Sequence, residues 1–287
     1  MTQIEQIFRA CRTEGRRLII PFLTAGDPDL EFTLRLANEL SRRGCPIVEL
    51  GIPYSDPIAD GPVIQASYTR ALARRITVPA ILQALAADAA RGPAAAVEPA
   101  SACGGSGATK PHFVTMVSYA IVHRIGLQEY VTSAQRAGVQ GAIVPDLPAD
   151  EAQALAAICG ERDFNLIQLV TPTTPRDRAV RIAETSSGFL YYVSVAGITG
   201  ERRSLPPGLL ENVDWLRQRT PLPICIGFGI STPDHVRTLA PVADGLIVGS
   251  AIVRRVEGCD GAGGADPRRA RIAEIGDFVG DLIAALP

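Results

Sequence analysis

The chain has 287 residues, of which 47% are hydrophobic, and its net charge at pH 7 is −2. A near-neutral chain without a basic stripe is not typical of nucleic-acid-binding proteins. No apolar run reaches the roughly 20 residues that span a bilayer, and the first 17 residues are too charged for a signal peptide. Length and composition therefore predict one large globular domain.

Eight short segments rich in β-forming residues are spread along the chain. Most are continuously apolar rather than alternating, which is typical of parallel strands covered on both faces. These segments are Leu18–Thr24, Ile47–Ile52, His112–Tyr119, Gly141–Asp146, Asn165–Val170, Phe189–Val195, Pro223–Gly229 and Gly245–Gly249.

Helical patterns alternate with the predicted strands. Asp29 is a suitable N-cap for the first of them, and Thr174-Pro175 and Thr232-Pro233 are typical helix starts. This alternation, eight times over, predicts a (β/α)₈ barrel, and an extra helix over about 3–14 is expected to cover its bottom. The patterns are Leu30–Arg43, Asp150–Cys159, Pro175–Ser186, Pro207–Arg219, Thr232–Leu239 and Arg268–Leu286.

Two stretches interrupt this alternation. Ala86–Lys110 is rich in Ala, Gly and Ser, and its second half, Glu98–Lys110, has no periodicity. We predict that 98–110 is a disordered surface insertion in a single domain spanning 1–287. Because it precedes the third strand, it is expected at the N-terminal face of the barrel, away from the chemistry. Gly258–Asp266 interrupts the last helical region in a similar way.

The six cysteines and three histidines form no recognisable framework. No C-x-x-C pair and no histidines at metal-ligand spacing occur, so no metal is expected. Scattered thiols of this kind are typical of a reducing cytosol, which predicts a cytoplasmic location.

Three acidic residues mark a candidate catalytic segment. Glu49 lies inside an apolar strand, where a buried carboxylate is costly unless something needs it. Asp56 and Asp60 lie on the loop that follows, after Gly51 and two prolines have ended the strand. One desolvated carboxyl group and one on a loop suit general acid–base chemistry. The alternative interpretation is structural: Glu49 forms a buried ion pair and an Asp of the loop caps a helix.

Glycines follow the last three predicted strands, in V-A-G-I-T-G at Val195–Gly200, I-G-F-G-I-S at Ile226–Ser231 and G-L-I-V-G-S at Gly245–Ser250. In many barrels the loops at these strand ends bind a phosphate through backbone N–H groups. We therefore expect a phosphate site here, with Ser250 as a further donor. Ordinary turns are the alternative for each glycine taken alone.

In these segments and others the chain resembles the tryptophan synthase alpha subunit family. The most specific segment is V-E-L-G-I-P-Y-S-D-P-I-A-D-G-P-V-I-Q at Val48–Gln65. The other matching segments are P-F-L-T-A-G-D-P at Pro21–Pro28, D-L-P at Asp146–Pro148, L-V-T-P-T-T-P at Leu169–Pro175, Y-Y-V-S-V-A-G-I-T-G at Tyr191–Gly200, G-F-G-I-S-T-P at Gly227–Pro233 and G-S-A-I-V at Gly249–Val253.

The resemblance implies retro-aldol cleavage of indole-3-glycerol phosphate to indole and glyceraldehyde 3-phosphate. It implies that Glu49 is a mobile acid–base carboxylate, that Asp60 binds the indole N–H, and that Tyr191 assists. The remaining implied residues are Gly200, Gly229, Gly249 and Ser250 at the phosphate, Phe22, Ile64 and Phe228 around the indole, and Thr199 in the loop that closes over the substrate.

The residues agree with a cleavage that needs neither metal nor Schiff base. Lys110 is the only lysine and lies in the predicted insertion, which argues against a Schiff-base aldolase with a strand-borne lysine. The resemblance also implies a pyridoxal-phosphate-dependent beta subunit as partner in an alpha2-beta2 tetramer, with no cofactor in this chain.

Two alternatives stay open. The chain could be a stand-alone lyase of the same fold, or a weakly catalytic protein that mainly activates the beta subunit. Where the family usually reads Tyr-Tyr-Asn before Ile121, this chain has Ser118-Tyr119-Ala120. These changes concern the indole pocket and the region near the beta-subunit contact.

Overall fold

Parallel strands and the helices between them account for most of the molecule. The computed structural model describes residues 1–57, 60–92, 110–193, 208–227, 229–259 and 265–287, and for 265 and 266 the backbone only. The strands are β1 Leu18–Thr24, β2 Ile47–Gly51, β3 His112–Met116, β4 Val139–Ile143, β5 Asn165–Ile167, β6 Leu169–Val170, β7 Leu190–Val193, β8 Ile224–Gly227 and β9 Gly245–Val248.

The helices follow the strands in the order expected for a barrel. They are α1 Gln3–Thr13, α2 Leu30–Arg42, α3 Pro62–Ala73, α4 Val78–Ala90, α5 Tyr119–Ile125, α6 Leu127–Arg136, α7 Gln153–Glu161, α8 Arg176–Glu184, α9 Leu209–Arg217, α10 Pro233–Leu239, α11 Ser250–Val256 and α12 Ala265–Ile283, with a 3₁₀ helix at Ala149–Glu151. Within the described residues, none of these helices combines the length and apolar character needed to cross a membrane.

The strands form one barrel. Their order is β5-β4-β3-β2-β1-β9-β8-β7-β6, and every described pairing is parallel. The two ends of this order, β5 and β6, are consecutive in the chain, so the sheet nearly closes on itself. The predicted (β/α)₈ barrel is confirmed.

The predicted strand Asn165–Val170 is divided at Gln168, which gives nine strands instead of eight. The Gln168 backbone N–H donates to Ser186 Oγ at 2.9 Å, and its side-chain Nε2 donates to Thr185 Oγ1 at 2.6 Å. The Gln168 N–H thus bonds the turn after α8 instead of a neighbouring strand, whereas its carbonyl oxygen still accepts from the Tyr191 N–H on β7 at 3.0 Å. The order of the strands around the barrel is unaffected.

Several predicted boundaries were wrong by a few residues. The predicted strand His112–Tyr119 ends at Met116, because Ser118 caps α5 through a hydrogen bond from the Ala120 N–H. Helix α8 begins at Arg176, which leaves Pro175 in the cap position. The predicted caps Asp29 and Thr232 are confirmed, since both side chains accept a backbone N–H at the start of their helix.

The barrel interior is separated from the layer between strands and helices by the alternation of side chains. On β2, Ile47 belongs to the interior cluster, whereas Val48 and Leu50 pack in the outer layer against the helices. Glu49 shares the face of Ile47, so its side chain lies inside the barrel. Its partners in the strand pairing, Phe22 on β1 and Val114 on β3, are both apolar.

Helix α1 covers the bottom of the barrel, as predicted. Ile4, Ile7 and Phe8 are buried in the interior cluster, and the rings of Phe8 and Phe189 lie 5.6 Å apart. Its capping box, formed by Thr2 and Glu5, fixes the start of the helix. One end of the barrel is thereby filled, which leaves the C-terminal ends of the strands for a ligand.

The described flanks of the predicted insertion lie at this bottom face. Lys110 Nζ donates to Asp88 Oδ2 at 2.6 Å and to the Asp88 carbonyl oxygen at 2.7 Å. Asp88 is near the end of α4 and Lys110 precedes β3, and both positions are at the N-terminal face. Lys110, the last residue of the predicted insertion, is thus held by two hydrogen bonds. Residues 98–109 lie outside the described part, so their expected disorder stays a prediction.

An ionic cluster ties α1 to the barrel. Asp244 is 3% exposed and accepts hydrogen bonds from Arg12 Nε at 3.0 Å, from Arg217 Nη2 at 3.1 Å and from the Ile224 N–H at 2.9 Å. Burial opposes ionisation of Asp244, but these hydrogen bonds and the two cationic neighbours outweigh it and lower the pKa. The carboxylate therefore stabilises the fold at neutral pH.

We expect Asp244→Asn to lower the free energy of unfolding at pH 7 by about 2–3 kcal/mol, less than a fully buried pair costs because both arginines are partly exposed. Urea unfolding measures this loss. Since the folded pKa is depressed, the difference from the wild type is present above the unfolded pKa of about 3.9 and disappears as the pH falls through the folded pKa. The exposed Asp177→Asn is the control, and equal losses in both variants would contradict the assignment.

Candidate active site

Glu49 is a buried carboxyl group inside the barrel. It is 1% exposed, and neither of its oxygens has a hydrogen-bond partner among the described residues. Burial, and next the negative charge of Asp60, raise the pKa of Glu49 to about 8. At neutral pH the group is therefore mainly protonated, as a proton donor requires.

Asp60 lies on the loop between β2 and α3, close enough to Glu49 to raise its pKa. The Gln65 amide fixes this loop, because Nε2 donates to the Asp60 carbonyl at 2.8 Å and to the Pro57 carbonyl at 3.1 Å. Burial raises the pKa of Asp60 to about 6, against a hydrogen bond from the Tyr54 hydroxyl that lowers it. At neutral pH Asp60 is thus mainly ionised while Glu49 is mainly protonated.

Asp56 does not join this pair. Its side chain is exposed, and it accepts a hydrogen bond from the neighbouring Ser55 Oγ at 2.6 Å. The loop therefore directs Asp60 inward and Asp56 toward solvent. Within the described residues Glu49 has no cationic partner, so the structure gives no support to the alternative of a buried ion pair.

Tyr191 on β7 belongs to the same site. It is 9% exposed, and burial followed by the charges of Glu49 and Asp60 raises its pKa. Gly227 on the adjacent strand β8 makes room for it, because a Cβ at Gly227 would lie 2.6 Å from the Tyr191 hydroxyl. The structure thus brings together the three residues that were assigned to catalysis.

Two further tyrosines, Tyr54 and Tyr68, line the site. Sequence reasoning missed both of them. Tyr68 on α3 is 1% exposed, and a Cβ at Gly51 would lie 2.7 Å from its hydroxyl. The rings of Tyr54 and Tyr68 lie 5.6 Å apart. The signal in the sequence was the spacing of Ile64 and Tyr68, which are one helical turn apart on the same buried face.

Apolar side chains surround the acids. Phe22 and Ile64 are 4% and 5% exposed and belong to the interior cluster that contains Tyr191. A Cβ at Gly51 would lie 2.5 Å from Phe22, so the absence of a side chain at Gly51 admits the ring. Phe228, the third residue assigned to the indole pocket, lies outside the described residues.

The predicted phosphate site is described in part. Gly229 follows β8 and has a φ of +71°, which favours glycine. Gly249 follows the adjacent strand β9. Ser250, which is buried with 6% of its surface exposed, begins α11. These residues therefore share one rim of the barrel, the C-terminal end. Thr199 and Gly200 lie outside the described residues.

The unusual residue Ser118 has a structural partner. Ser118 Oγ donates to Asp146 Oδ2 at 2.7 Å, and the Tyr119 N–H donates to Asp146 Oδ1 at 2.7 Å. Asp146 is also near Tyr54, because its charge raises the pKa of the Tyr54 hydroxyl, after burial and the charge of Asp60. Ser118 thus joins the start of α5 to the loop after β4, while Ala120 is exposed.

The chain is similar to known proteins along nearly its whole length. The family model described as tryptophan synthase alpha chain matches residues 8–274. A tryptophan synthase alpha chain from Rhodopirellula baltica is 50% identical over 289 residues, covering 100% of this chain and 99% of that protein. One from Prochlorococcus marinus (strain NATL2A) is 39% identical over 285 residues, covering 99% and 96%.

Solved structures have the same fold. The structure of Mycobacterium tuberculosis tryptophan synthase superposes with a TM-score of 0.81 at 29% identity, covering 99% of this chain and 98% of that chain. The tryptophan synthase alpha subunit of Legionella pneumophila gives a TM-score of 0.82 at 28% identity, with 99% and 98% covered.

Proposed function

The chain belongs to the family of tryptophan synthase alpha chains, lyases of tryptophan biosynthesis that cleave indole-3-glycerol phosphate, and we propose that Glu49 and Asp60 carry out this cleavage. The observation that carries the proposal is the buried carboxyl group of Glu49 beside Asp60, which has no hydrogen-bond partner in the part of the chain that the structure describes. The two environments separate their pKa values, so that one group is an acid and the other an anion.

Glu49 donates its proton to C3 of the indole ring, which places a positive charge on the ring. The hydroxyl on the carbon bonded to C3 then loses its proton to the Glu49 carboxylate. The C3–carbon bond breaks, its electron pair returns to the ring, and the carbon that bore the hydroxyl becomes the aldehyde of glyceraldehyde 3-phosphate. Protons and electrons balance, and Glu49 regains its starting state.

Asp60 accepts a hydrogen bond from the indole N–H and stabilises the positive charge that develops on the ring. Its fixed loop and its hydrogen bond from Tyr54 support this role, because a positioned charge needs no reorganisation during the reaction. Tyr191 assists from the opposite wall.

Residues around the C-terminal end of the barrel bind the indole ring and the phosphate of the substrate. Phe22, Ile64 and Phe228 enclose the indole ring. Gly200, Gly229, Gly249 and Ser250 hold the phosphate, and Thr199 belongs to the loop that closes over the substrate. The conformation of Gly229 and the strand ends beside Gly249 support this assignment.

Membership of this family implies a tryptophan synthase beta subunit as partner. We infer an alpha2-beta2 tetramer in the cytoplasm, with pyridoxal phosphate in the beta subunit and no cofactor in this chain. The family supports this inference. The five described cysteines support the cytoplasmic location, because they are buried and form no disulfide.

We expect Glu49→Gln and Asp60→Asn to lower indole release at least a hundredfold, since general acid–base groups contribute on the order of 10²–10⁴-fold. Asp56→Asn is the matched control and keeps most of the activity, because its carboxylate faces solvent. Steady-state assay of indole measures all three variants. If Glu49→Gln retained more than about a tenth of the wild-type rate, the catalytic assignment would be wrong.

The same assay, run with and without a tryptophan synthase beta subunit, tests the partner. We expect an alpha subunit to release indole in the absence of the beta subunit and to release it faster in the complex. A rate that ignores the beta subunit would indicate a stand-alone lyase. A chain that releases no indole but stimulates the beta subunit would be an activator.

We expect Gly229→Val to weaken binding of glycerol 3-phosphate far more than binding of indole. A Cβ is strained at a φ of +71° and blocks the approach of a phosphate to the backbone. Calorimetric titration with each ligand measures the two affinities. Equal losses for both ligands would argue against a phosphate site at this turn.

A further inference from the structure

We propose that Tyr68 is a positioning residue of the lyase reaction, whose hydroxyl donates a hydrogen bond to the Glu49 carboxylate once Glu49 has given up its proton. The proposal rests on the acid–base role of Glu49. Tyr68 acts through Glu49 and needs no contact with the substrate.

The first observation is a group of buried polar atoms without partners. Both oxygens of Glu49 and the hydroxyl of Tyr68 are buried and make no hydrogen bond within the described residues. A buried hydroxyl without a partner costs stability, so most such groups in folded proteins are paired. Unpaired donor and acceptor atoms in one site indicate that they are paired at another stage of the reaction.

The second observation is the position of the Tyr68 hydroxyl. A Cβ at Gly51 would lie 2.7 Å from it, so the hydroxyl sits directly over Gly51. Gly51 follows Glu49 by two residues on the same interior face, about 6.6 Å further along the strand. A glutamate side chain extended along β2 toward the barrel mouth bridges much of this distance. The hydroxyl thus lies between Glu49 and the end of the barrel where the substrate binds.

The other described polar groups near Glu49 are already hydrogen-bonded or approach it from a different side of the barrel. The Tyr54 hydroxyl donates to Asp60 on the loop. Tyr191 stands over Gly227 on β8, and Cys225 lies on the same strand, where burial raises its pKa. Since Asp60 is an acceptor and repels an ionised Glu49, Tyr68 is the donor placed on the Gly51 side.

The hydrogen bond matters because of when it forms. Glu49 begins the reaction protonated and becomes a buried anion when it protonates the indole ring. A donor already in place stabilises this anion as its charge develops. Without the donor, the proton transfer leaves an unpaired charge in the barrel.

The test is Tyr68→Phe in the full chain, assayed for indole release across a pH series. We expect kcat to fall about tenfold or more, with KM nearly unchanged, because hydrogen bonds to charged groups are among the strongest. Loss of the donor destabilises the ionised form, so the alkaline limb of the kcat profile, where Glu49 loses its proton, moves upward by about one pH unit. We expect the melting temperature of the free chain not to fall, since the hydroxyl has no partner there among the described residues.

Tyr130→Phe is the matched control. Its hydroxyl is also buried, but it is bonded to Thr115 Oγ1 at 2.8 Å in the outer layer. We expect this variant to lose stability and to keep both kcat and the pH profile of the wild type.

Two results would overturn the proposal. One is wild-type kcat with an unmoved alkaline limb in Tyr68→Phe. The other is a lower melting temperature and a raised KM without a pH shift, which would mean that Tyr68 only packs the site. If Glu49→Gln is inactive while Tyr68→Phe is unaffected, only this inference fails, whereas an active Glu49→Gln removes the proposed function itself.

Discussion

Burial of an ionisable group that has no hydrogen-bond partner among the described residues is the constraint on which the site depends. Glu49 sits in an apolar interior that favours its neutral form, and its pKa rises to about 8 as a result. Such a group costs stability, since an unpaired buried polar group loses its hydration and gains nothing in return. The surrounding barrel offsets the cost with continuous apolar packing on both faces of the sheet and with α1 across its bottom. In return it holds a proton donor at neutral pH.

The two acids differ because their supports differ. Glu49 is fixed by the strand pairing that places it beside Phe22 on β1 and Val114 on β3. Asp60 is on a loop, partly solvated and hydrogen-bonded by Tyr54. A register shift of one residue would move Glu49 out of the barrel and among the helices, so the parallel pairing of β2 is a requirement of the chemistry.

Two glycines near the acids make room for the aromatic side chains of the site. Gly51 admits the Tyr68 hydroxyl and the Phe22 ring, and Gly227 admits the Tyr191 hydroxyl. Tyrosine hydroxyls thus reach the centre of the barrel from a helix on one side and a strand on the other. A methyl group at either glycine would compete for the space that a tyrosine hydroxyl occupies.

Sequence reasoning predicted what depends on local pattern. Continuous apolar runs predicted parallel strands, and a lone carboxylate in one of them predicted Glu49 as the interior acid. The division of the fifth predicted strand at Gln168 was not predictable, since it depends on hydrogen bonds from Gln168 to Ser186 and Thr185 after α8. The role of Ser118 likewise depends on Asp146, which is far away in sequence. Tyr68 was missed because a tyrosine on the apolar face of a helix looks like core until its hydroxyl is seen over Gly51.

The most direct test of this account is the protonation state of Glu49 in the free chain. Infrared difference spectra between wild type and Glu49→Gln, recorded across a pH series, isolate the carboxyl band of this residue. We predict a protonated group at neutral pH that titrates with a midpoint of about 8. In Asp60→Asn we predict a lower midpoint, still above the ordinary value because burial is the larger cause. A midpoint near the ordinary 4.5, with an ionised Glu49 at neutral pH, would contradict it.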